Sequence, residues 1–203
     1  LGIDCMAMNV NDTICVGAEP IAFVDYIAID EPNERITDQI GIGLNRAAEL
    51  ANVDLVGGEI AVLPEMVKGV DLSGTALGML QRKDMVTGAE VKEGDVIIGL
   101  RSSGVHSNGM TLARKVLQSA NISLEDEIDG LDQSVGMELL TPTHIYVRDV
   151  LQLVRSVKVS GMVDVTGGGL KNFVRLKKGL QYRITDPIEP QPIFKVIQKI
   201  GGV

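Results

Sequence analysis

The stretch from residue 96 to residue 117 constrains the fold most. Val96-Ile97-Ile98-Gly99-Leu100 is an apolar run of strand length, Ser102-Ser103-Gly104-Val105-His106-Ser107-Asn108-Gly109 is polar, and Met110 to Leu117 has helical composition. In order, these read as strand, tight loop and helix start. A helix N-terminus leaves its first N–H groups without partners and carries partial positive charge, so an anion can bind there. Gly104 and Gly109 would let the backbone approach a ligand closely. The plainer reading is a turn capped by Ser107 or Asn108. Against it, Ser103, His106, Ser107 and Asn108 place four hydrogen-bonding side chains in six residues, where an ordinary turn needs one or two.

The same grammar returns at 161–173. Gly161-Met162-Val163-Asp164-Val165 reads as a short strand, Thr166-Gly167-Gly168-Gly169 as a loop, and Leu170 onward as a helix. Three consecutive glycines are entropically costly unless the backbone must curl around something, which points to a second phosphate nest rather than a linker.

The 203 residues, 45% of them apolar, suffice for one large domain or two small ones. No apolar run approaches the roughly 18 residues of a membrane span, and no signal-peptide pattern opens the chain, so a cytoplasmic protein is expected. A net charge of −8, only three aromatic percent and no basic cluster larger than Arg175 to Lys178 argue against a nucleic-acid partner. Phosphate would then be held by backbone N–H groups and a metal. Cys5 and Cys15 lack zinc or redox spacing and read as packing residues. The chain opens inside an apolar pattern and stops directly after a helix, which looks like an excerpt of a longer protein.

In order, residues 2–16 carry Ile3, Met6 or Ala7, Val10 and Ile14 at helical spacing, with Asn9, Asn11 and Asp12 as polar interruptions. A carboxylate on a buried helix must be hydrogen-bonded, paired or metal-bound. A strand is expected at 20–29, interrupted by Asp25 and Tyr26, and an amphipathic helix on Ile36, Ile40, Leu44, Ala47 and Ala51. Residues 54–63 read as a strand broken by Gly57-Gly58, with Glu59 beside the break as a candidate ligand for a hard cation. After a strand at 71–80, a domain boundary is placed near residue 84, giving units 1–84 and 85–203. Residues 121–136 read as a long surface connection. Thr141-Pro142 is expected to open a helix buried through Ile145, Val150, Leu153, Val154 and Val157. A strand at 180–186 and a helix at 191–200 complete an α/β chain of α+β type.

Val10-Asn11-Asp12, Gly17-Ala18-Glu19-Pro20, Leu55-Val56-Gly57-Gly58-Glu59, Ser102 to Gly109 and Thr166 to Gly169 occur in the order and approximate spacing of a known family. The chain resembles the phosphoribosylformylglycinamidine cyclo-ligases, or aminoimidazole ribonucleotide synthetases, over essentially its whole length. The resemblance implies a two-domain fold, with an N-terminal β-barrel-forming dimerisation domain and a C-terminal α/β domain. It implies a ligase of purine biosynthesis that uses ATP and Mg²⁺ on a small-molecule nucleotide substrate, as a homodimer without nucleic acid or membrane partners.

By the same resemblance, Asn11, Asp12, Glu59, Ser103, Gly104, Ser107, Asn108, Gly109, Thr166, Gly167, Gly168 and Gly169 are expected to bind ATP or phosphate. Asp12 and Glu59 are expected metal ligands, with Asp164 a third. His106, with Asp12, is the expected catalytic group, as proton shuttle or as donor to developing charge.

The chain departs from the family pattern in places. Ile60 stands where the family usually has Thr after Gly-Gly-Glu, and Asp164 where it commonly has His. The family's N-terminal G-V-G-T-K segment and the end of its C-terminal domain have no counterpart here. Competing readings are another ATP-using superfamily member, of the formylglycinamide ribonucleotide amidotransferase or selenophosphate synthetase kind, and a non-catalytic nucleotide-binding module.

Overall fold

The computed structural model describes residues 1–202. Its elements begin with α1 (Gly2–Ile14), β1 (Glu19–Ile29), α2 (Glu34–Ala51), β2 (Asp54–Val62) and β3 (Val70–Met79). They continue with α3 (Met110–Ser119), α4 (Val135–Leu139), α5 (Val147–Ser156) and α6 (Pro192–Gly201). Short 3₁₀ turns occupy Arg82–Asp84 and Gly169–Arg175.

The sheet has the order β2-β1-β3, with β1 parallel to β2 and antiparallel to β3. It is an open three-stranded sheet among the described residues, not a closed barrel. One face is covered by α1 and α2 through the inward residues Phe23, Ile27 and Ile29, which join Met6, Val10, Ile40 and Leu44 in the main core. β2 runs unbroken through its glycines. The irregularity expected there is a bulge one residue earlier: Phe23 pairs with Leu55 and Val24 with Gly57, leaving Val56 unpaired.

The two helices cross at a glycine contact. A β-carbon on Gly2 would lie 2.3 Å from the Ile40 carbonyl oxygen and 2.6 Å from the Leu44 nitrogen, and Gly43 meets Gly2 from the other side. Backbone cannot give way there as a flexible side chain would. The α2 helix is ended cleanly by Asn52, which takes the left-handed conformation after Ala51, and started by the Asn33 side chain accepting from the Ile36 N–H.

α5 belongs to the same core. Val147, Val150 and Leu151 are buried in it, although they follow the expected boundary near residue 84. Leu153 and Val157, expected inside, are exposed, and the buried turn is Val147 to Leu151. A second, smaller core joins α3, α4 and α6 through Ala113, Val116, Leu117, Val135, Ile193 and Ile197. Residues 121–136 are therefore only partly a surface connection: Ile128, Leu131 and the fully buried Val135 seat on this core.

Three expected strands are absent among the described residues. Residues 96–100, 161–165 and 180–186 lie outside regular secondary structure. A strand is defined by its neighbour's hydrogen bonds, and these segments have no ladder partner here. Val96 and Ile98 stay about four-fifths exposed as a result. The helix expected from Thr141 starts later, at Val147, because residues 142–146 spend their backbone groups on side chains from elsewhere in the fold.

Gly2→Ala should lower the unfolding free energy by about 1–3 kcal/mol, the usual range for overpacking. Gly41→Ala on the same helix, where a β-carbon meets nothing within 4 Å, should be neutral or slightly stabilising. Chemical denaturation of both variants measures the difference.

Candidate functional site

The site is assembled around residues 141–146, an irregular segment held from two sides. From α1, the Asp4 carboxylate accepts from the Thr143 N–H at 2.8 Å and from its hydroxyl at 2.7 Å. About two turns further on, Asn11 Nδ2 donates to the His144 carbonyl at 2.9 Å and Asn11 Oδ1 accepts from the Tyr146 N–H at 3.1 Å. Asn11 is only 5% exposed, so these bonds satisfy an amide that burial would otherwise penalise. Its position among the expected ATP-binding residues thus has a structural explanation: it splints the backbone that leads into α5.

From the other side come the residues of the 102–109 loop. Ser103 Oγ lies 2.6 Å from the Pro142 carbonyl, the hydroxyls of Ser107 and Thr143 are 3.4 Å apart, and Gly104 is buried against Thr141. The start of the loop is tied to α6 by Gln191, whose amide donates to the Ser102 carbonyl. Asn108 and Gly109 remain exposed at its far end. Gly109, with φ of 92°, is the N-cap of α3 and makes no side-chain cap. Neither Ser107 nor Asn108 caps the helix, so its first N–H groups stay open to an anion.

The two glycine-bearing loops meet. A β-carbon on Gly167 would touch the Asn108 side-chain oxygen at 3.4 Å. The 166–169 loop is braced from beneath by Asn172, which is 2% exposed and donates to the Asp164 carbonyl and the Thr166 hydroxyl, both at 3.0 Å. Gly168 must lack a side chain, since a β-carbon there would lie 2.2 Å from the Asn172 oxygen. Gly169 takes φ of 57°, and its N–H closes the turn on the Thr166 carbonyl at 2.8 Å.

Asp164 sits half-buried between this loop and α1. Burial, and then the Asp12 charge, raise its pKa above the ordinary carboxylate value. Burial and the charges of Asp164 and Asp12 push the Cys15 thiol up to about 11. Cys5, buried beneath the sheet, is also pushed up to about 11, chiefly by desolvation. Both cysteines are free and protonated at neutral pH, in keeping with packing roles.

Asp12, expected on a buried face, is exposed, as a group that meets ligand rather than core can be. Glu59 is exposed on β2 opposite Tyr26, on the face of the sheet away from the helices. The inward carboxylate beside it is Asp25, which rests directly over Gly58: a β-carbon there would lie 2.5 Å from an Asp25 oxygen. Desolvation raises the Asp25 pKa.

No group of three metal-ligating side chains gathers among the described residues. The donor chemistry of Asp12 and Asp164 nevertheless fits Mg²⁺, which keeps several waters and commonly takes only one or two carboxylates beside substrate phosphates. Beside the Ser103 end of the loop lies a cleft of about 380 Å³, lined by Arg101, Ser103, His144, Tyr146 and Asp149 among others. The Tyr146 hydroxyl donates to the Arg101 carbonyl at 2.9 Å, and the Tyr146 ring meets His144 edge-on.

Asp4, Thr143, Tyr146, Asn172 and Arg101 were not singled out from sequence. Asp4 and Asn172 carried one usable signal, a polar residue on the inner side of an apolar helical pattern. Nothing local marks Thr143 or Arg101.

The structure is thus a mixed α/β scaffold in which two glycine-bearing loops meet close to Asp12 and Asp164. The chain belongs to the AIR synthase related protein family: the N-terminal domain of that family matches residues 1–80 and its C-terminal domain residues 92–195.

Over 203 residues the chain is 48% identical to a phosphoribosylformylglycinamidine cyclo-ligase of Thermoplasma acidophilum, covering 100% of this chain and 60% of that protein. It is 50% identical to the protein of that name from Methanocaldococcus jannaschii, covering 59% of it. The chain thus spans about three-fifths of the length of these relatives.

Among solved structures, the hydrogenase maturation protein HypE superposes with a TM-score of 0.62 at 21% identity, over 86% of this chain and 51% of that one. HypE in complex with ATP gives the same score over 49% of its chain. Thiamine-monophosphate kinase from Stenotrophomonas maltophilia K279a gives 0.54 at 24% identity, over 76% of this chain and 47% of that one. These show a shared fold. No described helix is long and apolar enough to cross a membrane.

Asn11→Ala should cost about 1–3 kcal/mol by leaving the His144 carbonyl and Tyr146 N–H without partners. Native-state amide exchange should locate the loss at residues 143–147 and α5, with the β1–β3 ladder protected as before.

Proposed function

We propose that this chain carries the phosphate-handling centre of a phosphoribosylformylglycinamidine cyclo-ligase, an ATP-dependent ligase of purine biosynthesis. The observation that carries the reading is the meeting of the 102–109 and 166–169 loops at Asn108 and Gly167, beside Asp12 and Asp164. The names of relatives about 50% identical over the whole chain supply the particular reaction.

In this reading ATP phosphorylates the formyl oxygen of formylglycinamidine ribonucleotide. The amidine nitrogen then attacks that carbon, the C–O bond breaks, phosphate leaves, and the imidazole ring of aminoimidazole ribonucleotide is closed. Backbone N–H groups at the start of α3, with Ser107, Asn108 and Gly109, hold phosphate oxygens from one side, while Ser103 and Gly104 fix the loop against Pro142 and Thr141. Thr166, Gly167, Gly168 and Gly169 hold them from the other, on the rigid support of Asn172. Mg²⁺, when bound, neutralises charge on the transferring phosphate. Asp12 and Asp164 would hold it, whereas Glu59, on the sheet face away from α1, is not brought to these two carboxylates. Asn11 acts on nucleotide only through the 144–146 backbone that it fixes.

The units 1–84 and 85–203 are taken as the two domains, with both glycine loops in the second and Asp12 contributed by the first. The outer face of the sheet exposes Val24, Tyr26, Leu77 and Met79, an apolar surface suited to a second copy of the chain. Pairing of two such sheets would complete the barrel and yield a homodimer. A cytoplasmic location accords with this chemistry.

The test uses the protein expressed from its complete reading frame. ATP-dependent formation of aminoimidazole ribonucleotide should require Mg²⁺, and Asp12→Asn should lower turnover at least a hundredfold, the scale of losing a positioned charge-stabilising group. ATP binding without any product in a folded sample would sink the reading.

Sedimentation of the same protein should give a dimer. Leu77→Glu on the outer face should shift it to monomer with helix content unchanged.

A further inference from the structure

His106 is the one non-glycine residue of its loop with a left-handed backbone, φ of 59°. That conformation costs a residue with a β-carbon about 1 kcal/mol, so something must repay it. The turn it makes aims the imidazole back at the start of its own loop. The Ser103 N–H donates to His106 Nε2 at 2.9 Å, and the His144 N–H approaches the same nitrogen at 3.4 Å. Ser103 Oγ lies 2.7 Å from it.

Backbone N–H groups only donate, so Nε2 must carry a lone pair and the ring proton must sit on Nδ1. The Ser103 hydroxyl has a single hydrogen and two acceptors within reach, Nε2 and the Pro142 carbonyl at 2.6 Å. A proton added to Nε2 would face the Ser103 N–H donor head-on. The ring is therefore built into the loop as a neutral acceptor. This is the reverse of the expected proton shuttle, whose working nitrogen must be free to take a proton from substrate.

We propose that His106 is a positioning residue: its neutral ring clasps Ser103 onto Pro142–His144 and so sets the shape of the cleft between Arg101, Ser103, His144 and Tyr146. The catalytic consequence rests on the cyclo-ligase reading; the clasp itself does not. Its effect falls on the binding of the nucleotide substrate rather than on the bond-making step.

The environment agrees in direction. Burial lowers the His106 pKa, Asp4 on α1 raises it, His144 lowers it again, and the net shift is downward. Arg101 and Asp149, lining the same cleft, are the other charged groups on that side. With the folded value below the unfolded one, the unfolded chain takes up the proton first as pH falls. The stabilising contribution is thus complete above the ordinary histidine value and is lost as pH falls through the folded one.

Two measurements on the full-length protein test this. Imidazole ¹⁵N shifts near pH 7.5 should report His106 with a bare Nε2 and protonated Nδ1, and the protection of the Ser103 amide, relative to its intrinsic exchange rate at each pH, should fall as the ring protonates on acidification. A proton on Nε2 at neutral pH overturns the clasp whether or not the protein is a cyclo-ligase.

The second measurement is cyclisation kinetics of His106→Asn, since asparagine tolerates the left-handed backbone but is too short to reach Ser103. KM for formylglycinamidine ribonucleotide should rise roughly tenfold or more, with kcat within about threefold, and the rise in KM on acidification that the clasp predicts for the native protein should be absent from the variant. A fall in kcat of about a hundredfold or more at unchanged KM would restore the shuttle and overturn the proposal. Absence of any cyclisation by the native protein would fail the cyclo-ligase reading alone, and the ¹⁵N result would still decide the clasp.

Discussion

Everything at the site hangs on a short segment that cannot hold itself. Residues 141–146 form neither helix nor strand, and a backbone in that state must find partners for its N–H and C=O groups or lose them to water. Asp4 and Asn11 supply those partners from one side, and Ser103 and His106 from the other. Because Asp4 and Asn11 lie on α1, whose apolar face is buried against the sheet and α2, the segment inherits the rigidity of the main core. Polar side chains here do what a β-ladder does elsewhere, fixing backbone that borders an open cleft and has no neighbouring strand.

That arrangement explains why α5 packs with elements more than a hundred residues earlier in the chain. Val147, Val150 and Leu151 enter the first core because the segment leading to them is stitched to α1. The loop 102–109 is then caught between this stitched segment and α6, through Ser107 and Thr143 on one flank and Gln191 on the other. Its exposed end is delivered to the 166–169 turn, whose own shape depends on the buried Asn172. Phosphate sites made from backbone N–H groups need this kind of support, since an unbraced loop would have to be ordered by the ligand at the ligand's expense.

Much of the framework was legible in the order of residues. The spacing of Ile3, Val10 and Ile14, and of Ile36, Ile40 and Leu44, identified α1 and α2, and the β-branched run from Pro20 identified β1. Of the loop glycines, Gly104, Gly167 and Gly168 lie close to Thr141, Asn108 and Asn172, while Gly109 and Gly169 are needed for their positive φ, with open space where a β-carbon would stand. The AIR synthase related family was recognisable from five motifs in register. Less legible were segments whose state depends on a partner: 96–100 and 161–165 have strand composition yet no ladder, and Thr141-Pro142 has the signature of a helix start yet leads into irregular backbone. Local signals describe what a segment prefers, and tertiary hydrogen bonds overrode the preference.

Asn11 and His106 mark the division most clearly. By itself the sequence determined the α/β pattern, the family, the two glycine loops and the short roster of polar residues around them, because periodicity and backbone restrictions are written locally. Only the tertiary structure decided what those polar residues do. It gave Asn11 the His144 carbonyl and the Tyr146 N–H as partners, and set His106 Nε2 against the Ser103 N–H. Hydrogen-bond direction and burial depend on atoms brought together from distant parts of the chain, and no spacing in the sequence records them.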